Sequence, residues 1–229
     1  MPKTAKSQTP HTQPGTSLEP IFQMWGWILL VWSLYRYFLQ GTPEWVDEFI
    51  AKPLVFVVPV LWYVYKKEKR TIASLGITKK KFFSSFYIGL GFGVIFALEG
   101  LVVNALKYGS LQIQPIQSFV QYGLISLLVF SLATGFTEEL LNRGFLFGRL
   151  YEKTKNLGYA AFLSTTLFVL LHVPILVTSL KLQGPILVLF FITNFILGLV
   201  NSLLYFNTGS LVAPILVHVF WNMTVALYL

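Results

Sequence analysis

Long apolar runs separated by short polar segments extend over almost the whole chain. Seven of these runs approach the length of about 20 residues that a helix needs to cross a membrane. They cover residues 21–40, 50–66, 83–106, 118–148, 158–180, 184–206 and 210–229. The second run is short and contains Pro53 and Pro59, so a re-entrant or tilted helix there would change the number of spans by one. The pattern predicts an all-α, polytopic transmembrane helical bundle of about seven spans, between about six and eight.

Composition supports a membrane protein and excludes several other classes. Of the 229 residues, 55% are hydrophobic and only 11% are charged, whereas a soluble domain carries roughly a quarter charged residues. The net charge of +8 does not indicate nucleic-acid binding, because the basic residues form short clusters between apolar runs. The chain contains no cysteine, which excludes disulfides, thiolate nucleophiles and cysteine metal sites.

The distribution of charge between the runs predicts an orientation. The segment between the second and third runs contains Glu68 and seven basic residues: Lys66, Lys67, Lys69, Arg70, Lys79, Lys80 and Lys81. The segment between the first and second runs is acidic, with Glu44, Asp47 and Glu48 against Lys52. By the positive-inside rule the basic segment is cytoplasmic and the acidic segment is external. The N-terminus is then cytoplasmic, and residues 1–19, which are polar and rich in Pro, Thr, Gln and Ser, form a disordered tail.

Three charged residues lie near the end of the fourth apolar run. Ionised side chains inside an apolar segment are costly and usually functional. Glu139 and Arg143 are four residues apart with the acid first, which favours an ion pair on one helix face. Glu138 lies about 100° around the helix from Glu139 and is free for another role. The alternative interpretation is a hydrated helix end at the membrane surface.

Two histidines lie inside later runs. His172 is in the fifth run, and His218 is in the seventh, with Asn222 four residues later on the same face. At about 1.5 Å per helical residue, Glu138 and both histidines fall near the middle of the bilayer, so they can converge on one cavity. The alternative is that each histidine is only a packing residue.

This set of side chains suits the activation of water. Glu138, with His172 as a second base, can take a proton from a water that attacks a peptide carbonyl. His218 and Asn222 can donate hydrogen bonds to the developing oxyanion. In a metal-dependent alternative, Glu138, His172 and His218 bind zinc with a water in the open position. The metal-free version ranks first, because Asn222 is a poor zinc ligand and no His-x-x-x-His pair is present.

The order of these motifs resembles a known family. Glu138-Glu139-x-x-x-Arg143, Phe168-x-x-x-His172 and His218-x-x-x-Asn222 follow one another on successive spans, as in the CPBP intramembrane proteases, which include the type II CAAX-prenyl endopeptidases. The resemblance implies that residues 118–229 form a four-helix catalytic core and that residues 20–117 form N-terminal transmembrane helices. It also implies that Glu138, His172, His218 and Asn222 are catalytic, and that Glu139, Arg143 and Phe168 support the site.

The resemblance gives only a broad expectation for the substrate. It implies an endopeptidase acting on a membrane-associated, lipidated or amphipathic peptide or protein. The predicted topology favours entry of this substrate from the cytoplasmic side. The favoured metal-free mechanism requires no cofactor, and the pattern of charge indicates no nucleic-acid partner. The chain's length and lack of added soluble domains fit a bacterial, multi-pass protein of the cell membrane. Two other functions remain open: a non-catalytic immunity or partner-binding protein of the same fold, and a proton-coupled transporter.

Overall fold

All the regular secondary structure in the residues that the structure describes is helical. A computed structural model of the chain describes the backbone of residues 17–112 and 117–228 and the side chains of residues 17–112 and 120–225. No strand occurs in these ranges. Of the predicted tail, residues 1–16 lie outside the described residues.

Seven helices correspond to the seven apolar runs. The first three are α1 (Glu19–Phe38), α2 (Glu44–Lys67) and α3 (Phe82–Tyr108). Helix α4 comprises Gln117–Glu139, a π-helical segment Leu140–Phe147 and a last part Gly148–Thr154. The remaining helices are α5 (Leu157–Leu180), α6 (Gly184–Thr208) and α7 (Val212–Tyr228). The prediction of a polytopic helical bundle is confirmed.

Helix α2 differs from its prediction. It begins at Glu44, six residues before the predicted start at residue 50, and it continues without interruption past Pro53 and Pro59. The acidic residues assigned to an external loop therefore belong to the helix. Glu44 lies in the first turn, where a negative charge interacts favourably with the helix dipole. Glu48 and Lys52 are buried against other helices, so polarity at the start of this helix marks an interior face rather than a loop.

Five helices are long and apolar enough to cross a membrane, judged by length and composition of the described residues. They are Glu44–Lys67, Phe82–Tyr108, Val120–Thr154, Leu157–Leu180 and Gly184–Thr208. Helix α7 has a shorter apolar part, Val212–Val225. Large apolar side chains such as Phe83, Val102 and Ile125 are exposed on the helices, as expected where lipid replaces water. The chain is a multi-pass membrane protein.

Helix α7 packs closely against a glycine-bearing face of α3. A Cβ atom at Gly93 would lie 2.4 Å from Cδ2 of Phe220, and one at Gly100 would lie 2.3 Å from Cγ2 of Thr224. Small residues let membrane helices approach closely, which increases their van der Waals contact. This contact fixes the rotation of α7 about its own axis, and with it the direction in which His218 points.

The π-helical segment of α4 is the most buried part of the chain. All eight residues from Leu140 to Phe147 are buried. Immediately after it, Arg149 is 2% exposed and binds the Glu68 carboxylate with two nitrogens, at 2.8 to 2.9 Å from Nε and 2.7 Å from the terminal nitrogen. Arg149 also donates to the Ser74 carbonyl. Helix α4 is thereby anchored to the segment after α2, which holds its last turns in register.

The helix ends assemble into two distinct ends of the bundle. At one end, Arg70 binds Glu152 at 2.7 Å and the Leu211 amide donates to the Gly76 carbonyl at 3.1 Å. We call this the basic end, because the predicted cytoplasmic lysines lie there. At the opposite end, Arg36 of α1 binds Asp47 of α2 at 2.5 Å. We call this second end the mouth end.

Candidate active site

Glu138 faces two imidazole rings that come from different helices. Its Oε2 atom lies 3.7 Å from Nε2 of His218 on α7 and 4.0 Å from Nε2 of His172 on α5. Glu138 is 8% exposed and His218 is 3% exposed, so the cluster lies in the interior of the bundle. Both distances are longer than that of a direct hydrogen bond. A water molecule could therefore bridge the Glu138 carboxylate and either histidine.

The hydrogen bond that His172 makes on its other nitrogen determines its orientation. Nδ1 lies 3.0 Å from the carbonyl oxygen of Phe168, one turn earlier on α5. A carbonyl oxygen only accepts, so Nδ1 donates to it, and in the neutral form of the ring Nε2 then carries the lone pair on the side of Glu138. The Phe168 ring packs edge-on against His172, with centroids 4.8 Å apart. The ring is thus held with its basic nitrogen towards the carboxylate.

Glu139 supports the site through a single oxygen atom. Its Oε1 accepts from Arg143 at 2.9 Å, from Asn201 of α6 at 3.0 Å and from Nδ1 of His218 at 2.7 Å. Glu139 and Arg143 are 0% and 1% exposed on their side chains, so the pair is screened from water. The structure therefore contains the ion pair expected from the spacing, and Glu139 also orients His218.

Phe168 connects the ion pair with the histidines. Its ring lies 4.6 Å from the guanidinium carbon of Arg143, a cation–π contact, and 6.0 Å from the His218 ring. Phe168 is completely buried. The Phe168 ring contacts Arg143, His172 and His218 at once. Its packing limits the movement of these three side chains relative to one another.

Lys52 is a component of the site that sequence reasoning missed. Its Nζ lies 3.1 Å from Oε1 of Glu138 and 2.7 Å from Oε1 of Glu48. The other carboxylate oxygen of Glu48, Oε2, accepts a hydrogen bond from the Thr134 hydroxyl. Lys52 is 8% exposed and Glu48 is 6% exposed. The sequence did contain an indication of this contact. Glu48 and Lys52 are four residues apart with the acid first, an order that favours an ion pair on one helical face. Assigning both residues to a loop concealed it.

Asn222 lies on the same face of α7 as His218 and lines the same cavity, as the spacing predicted. Its side chain is half-buried and makes no hydrogen bond to the residues that the structure describes. The amide is thus available to donate to a bound molecule. Asn201 forms a hydrogen-bonded bridge from α6 to Glu139 of α4.

The polar cluster lies at the bottom of a cavity of about 630 Å³. The volume is in the range of sites that bind drug-sized ligands or short peptide segments. Apolar side chains form most of its wall, including Phe56, Leu127, Leu171, Leu189 and Trp221. Glu138, Lys52, His172, His218 and Asn222 contribute polar groups to the same wall. The structure thus brings the four residues predicted to be catalytic to a single cavity.

The geometry does not favour the proposed zinc alternative. In the described parts of the chain, no group of three or more His, Asp or Glu side chains is arranged to hold a metal ion. The Glu138 carboxylate, moreover, already contacts the Lys52 ammonium at 3.1 Å. A divalent cation at Glu138 would lie beside this positive charge, and two like charges at such a distance repel strongly in an apolar site.

Comparison with known proteins gives a family match over part of the chain. Residues 120–224 match the family model described as type II CAAX prenyl endopeptidase Rce1-like. The match includes every motif residue discussed above, from Glu138 to Asn222. Neither a curated protein nor a solved structure gave a match. The three ordered motifs lie within this match, so we conclude that residues 120–224, somewhat less than half of the chain, form a domain similar to the type II CAAX prenyl endopeptidases.

Proposed function

We propose that the protein is a glutamate-dependent intramembrane endopeptidase that hydrolyses a peptide bond of a membrane-associated peptide. The observation that carries the proposal is the position of the Glu138 carboxylate, which faces Nε2 of both His172 and His218 at the bottom of the cavity. The family match supports a peptidase, and the geometry supports a water-activating mechanism.

In the first step, Glu138 acts as the general base. A water held between Oε2 of Glu138 and Nε2 of His172 gives its proton to the carboxylate while its oxygen attacks the scissile carbonyl carbon. The His172 lone pair accepts the water's second hydrogen and orients the attacking oxygen. The carbonyl π electrons move onto the oxygen, which becomes an oxyanion.

His218 and Asn222 stabilise that oxyanion. The buried ionic groups of the site comprise the carboxylates of Glu48, Glu138 and Glu139 and the cations of Lys52 and Arg143. These charges leave one negative charge in excess, and the mechanism requires a His218 ring with hydrogens on both nitrogens, of which Nδ1 donates to Glu139. Its Nε2–H and the Asn222 amide then donate to the oxyanion, and one such donor contributes about 3 to 4 kcal/mol.

In the second step, the C–N bond breaks and the proton on Glu138 passes to the leaving amine nitrogen. The products are one amine terminus and one carboxyl terminus, which carries the water's second hydrogen until it ionises to solvent, and Glu138 returns to its ionised form. Lys52 and Glu139 do not contact the reacting atoms. They act as positioning residues, Lys52 by holding the charged form of Glu138 and Glu139 by holding His218.

The test is hydrolysis by the purified full chain of a quenched fluorogenic library that contains lipidated and unlipidated peptides. The wild type is compared with Glu138→Gln and with the matched control Glu99→Gln, which changes an intramembrane glutamate that does not line the cavity. We expect cleavage by the wild type and the control, and a loss of at least about 10³-fold in Glu138→Gln. Equal activity in Glu138→Gln would refute the assignment of the base.

Two further measurements distinguish this mechanism from zinc catalysis, simple binding and transport. Addition of a chelator leaves the rate unchanged if the chemistry is metal-free, and a chelator-sensitive rate that zinc restores would favour the zinc alternative. The absence of cleavage by the wild type across the library would favour a non-catalytic binding protein. Substrate flux into proteoliposomes without cleavage products would favour a transporter.

A further inference from the structure

We infer that the active site receives its substrate from the non-cytoplasmic side of the membrane. The inference rests on the proposed function for the identity of the substrate as a peptide, and on two independent observations for its direction. These observations are the path of the cavity through the bundle and the distribution of basic residues between the two ends.

The cavity extends from Glu138 towards the mouth end. Its lining begins at the level of Glu138, His172 and His218 in the middle of α4, α5 and α7. The lining residues farthest from the catalytic cluster lie at or near helix ends: Glu44, Lys107, Leu180, Leu182, Ile186 and Val225. These positions are the start of α2, the end of α3, the α5–α6 connection and the last part of α7. A ligand can therefore approach the catalytic cluster through this end of the bundle.

The protein closes the cavity on the other side of Glu138. Among the described residues, none from Glu139 to Gly158 lines the cavity. The buried π-helical segment Leu140–Phe147 occupies that space, and the Arg149–Glu68 ion pair lies beyond it. A substrate that approached from the basic end would have to displace this closely packed segment together with a buried ion pair. The cavity therefore has access from the mouth end.

The two ends differ strongly in basic residues. Ten lie at the basic end: Lys66, Lys67, Lys69, Arg70, Lys79, Lys80, Lys81, Arg149, Lys153 and Lys155. Three lie at the mouth end: Arg36, Lys107 and Lys181. Ion pairs and hydrogen bonds between α2, α4, α7 and the α2–α3 connection show that the ten belong to one end rather than to both. Lysine and arginine in short connections remain on the cytoplasmic side during insertion.

The two observations together reverse the direction of access expected from the sequence. With the basic end in the cytoplasm, the mouth end lies on the opposite face of the membrane. The substrate class is then a peptide segment with mostly apolar side chains that reaches the site from the outer face, such as an exported or outward-projecting membrane peptide. Apolar residues such as Leu182 and Ile186 near the mouth suit such a segment.

The absence of cysteine from the chain permits a direct test of orientation. One variant is Leu182→Cys at the mouth end, and its control is Lys80→Cys, an exposed position at the basic end. Intact bacterial spheroplasts that express each full-length variant are treated with a membrane-impermeant maleimide. We expect labelling of Leu182→Cys at least tenfold above that of Lys80→Cys, and equal labelling after permeabilisation. Equal or reversed labelling in intact cells would overturn the inference.

Catalysis provides a second test that distinguishes the two proposals. A fluorogenic peptide that the wild type cleaves in detergent is coupled to a sulfonated dye and added to sealed membranes. We expect cleavage by spheroplasts and a loss of at least tenfold in inverted vesicles, with both rates equal after detergent is added. Faster cleavage by inverted vesicles would overturn the direction and leave the peptidase intact. Failure in detergent would overturn the peptidase, while the labelling result would still decide the direction.

Discussion

Replacement of Lys52 by methionine tests whether electrostatics at Glu138 control the proposed chemistry. Methionine retains most of the apolar volume and removes the ammonium that lies 3.1 Å from Glu138 and 2.7 Å from Glu48. At 3.1 Å, a pair of unit charges attracts by about 5 kcal/mol at an effective dielectric constant of 20 and by about 1.3 kcal/mol in water. The cavity is partly open, so the value for Glu138 lies between these limits.

Each 1.36 kcal/mol corresponds to a factor of ten in rate, so these limits give an expected loss in kcat/KM at neutral pH of between about 10-fold and about 5 × 10³-fold. The loss arises because the unpaired carboxylate retains a proton and cannot act as a base. Activity should therefore recover as the pH is raised, with half-maximal kcat/KM at a pH at least about one unit above that of the wild type. Lys52→Arg keeps the charge and should keep most of the activity. The assay is a pH profile of peptide hydrolysis in detergent.

A double variant separates catalysis from folding. Loss of one partner from a buried ion pair costs about 3 to 5 kcal/mol of stability, because the other charge remains buried. Lys52→Met leaves the carboxylates of Glu48 and Glu138 without their cation. Adding Glu48→Gln removes one of these two unpaired charges, so the thermal unfolding midpoint should recover in part. The activity should not recover, because Glu138 still lacks its cation. A wild-type pH profile in either variant, or activity that follows only the unfolding midpoint, would refute the electrostatic role of Lys52.

Three further variants test other parts of the structure. Glu139→Gln should lower stability by about 3 kcal/mol, because Arg143 loses a buried partner; chemical unfolding measures it, and an unchanged midpoint would contradict the assigned support. Asn222→Ala should lower kcat by about 10²-fold with little change in KM; an effect on KM alone would contradict oxyanion binding. Gly93→Ala should lower the stability of the protein by about 1 to 3 kcal/mol. Gly91→Ala, whose added methyl group meets open space, should leave the stability unchanged. Equal unfolding midpoints for the two variants would contradict the close α3–α7 contact.

The sequence predicted helices well where apolar residues were continuous, and it failed where polar residues continue a helix. The residues from Glu44 to Lys52 interrupt the apolar pattern, yet they belong to α2, because Glu48 and Lys52 point into the bundle and satisfy each other there. Periodicity records how apolar a position is. It does not record which neighbouring helix supplies a partner for a charge.

The convergence of the site followed from spacing and depth. Intervals of four residues predicted that Glu139 pairs with Arg143 and that His218 and Asn222 share one helix face. The helical rise per residue predicted that Glu138 lies at the same depth in the membrane as the two histidines. The contact between Lys52 and Glu138 joins residues 86 positions apart. No local spacing encodes such a contact, and the direction in which the cavity opens is likewise a property of the packed bundle. The four-residue interval between Glu48 and Lys52 is visible in the sequence. Only the burial of both side chains shows that the pair belongs to the site.

The single Glu139 oxygen that accepts from three helices has a consequence for biosynthesis. Its partners Arg143, Asn201 and His218 lie on α4, α6 and α7, so the last of these contacts forms only after α7 has been made. A chain still emerging from the ribosome lacks one imidazole and the Asn222 amide. Under the proposed function, the site is therefore incomplete and inactive towards neighbouring proteins in the insertion machinery until α7 has been made.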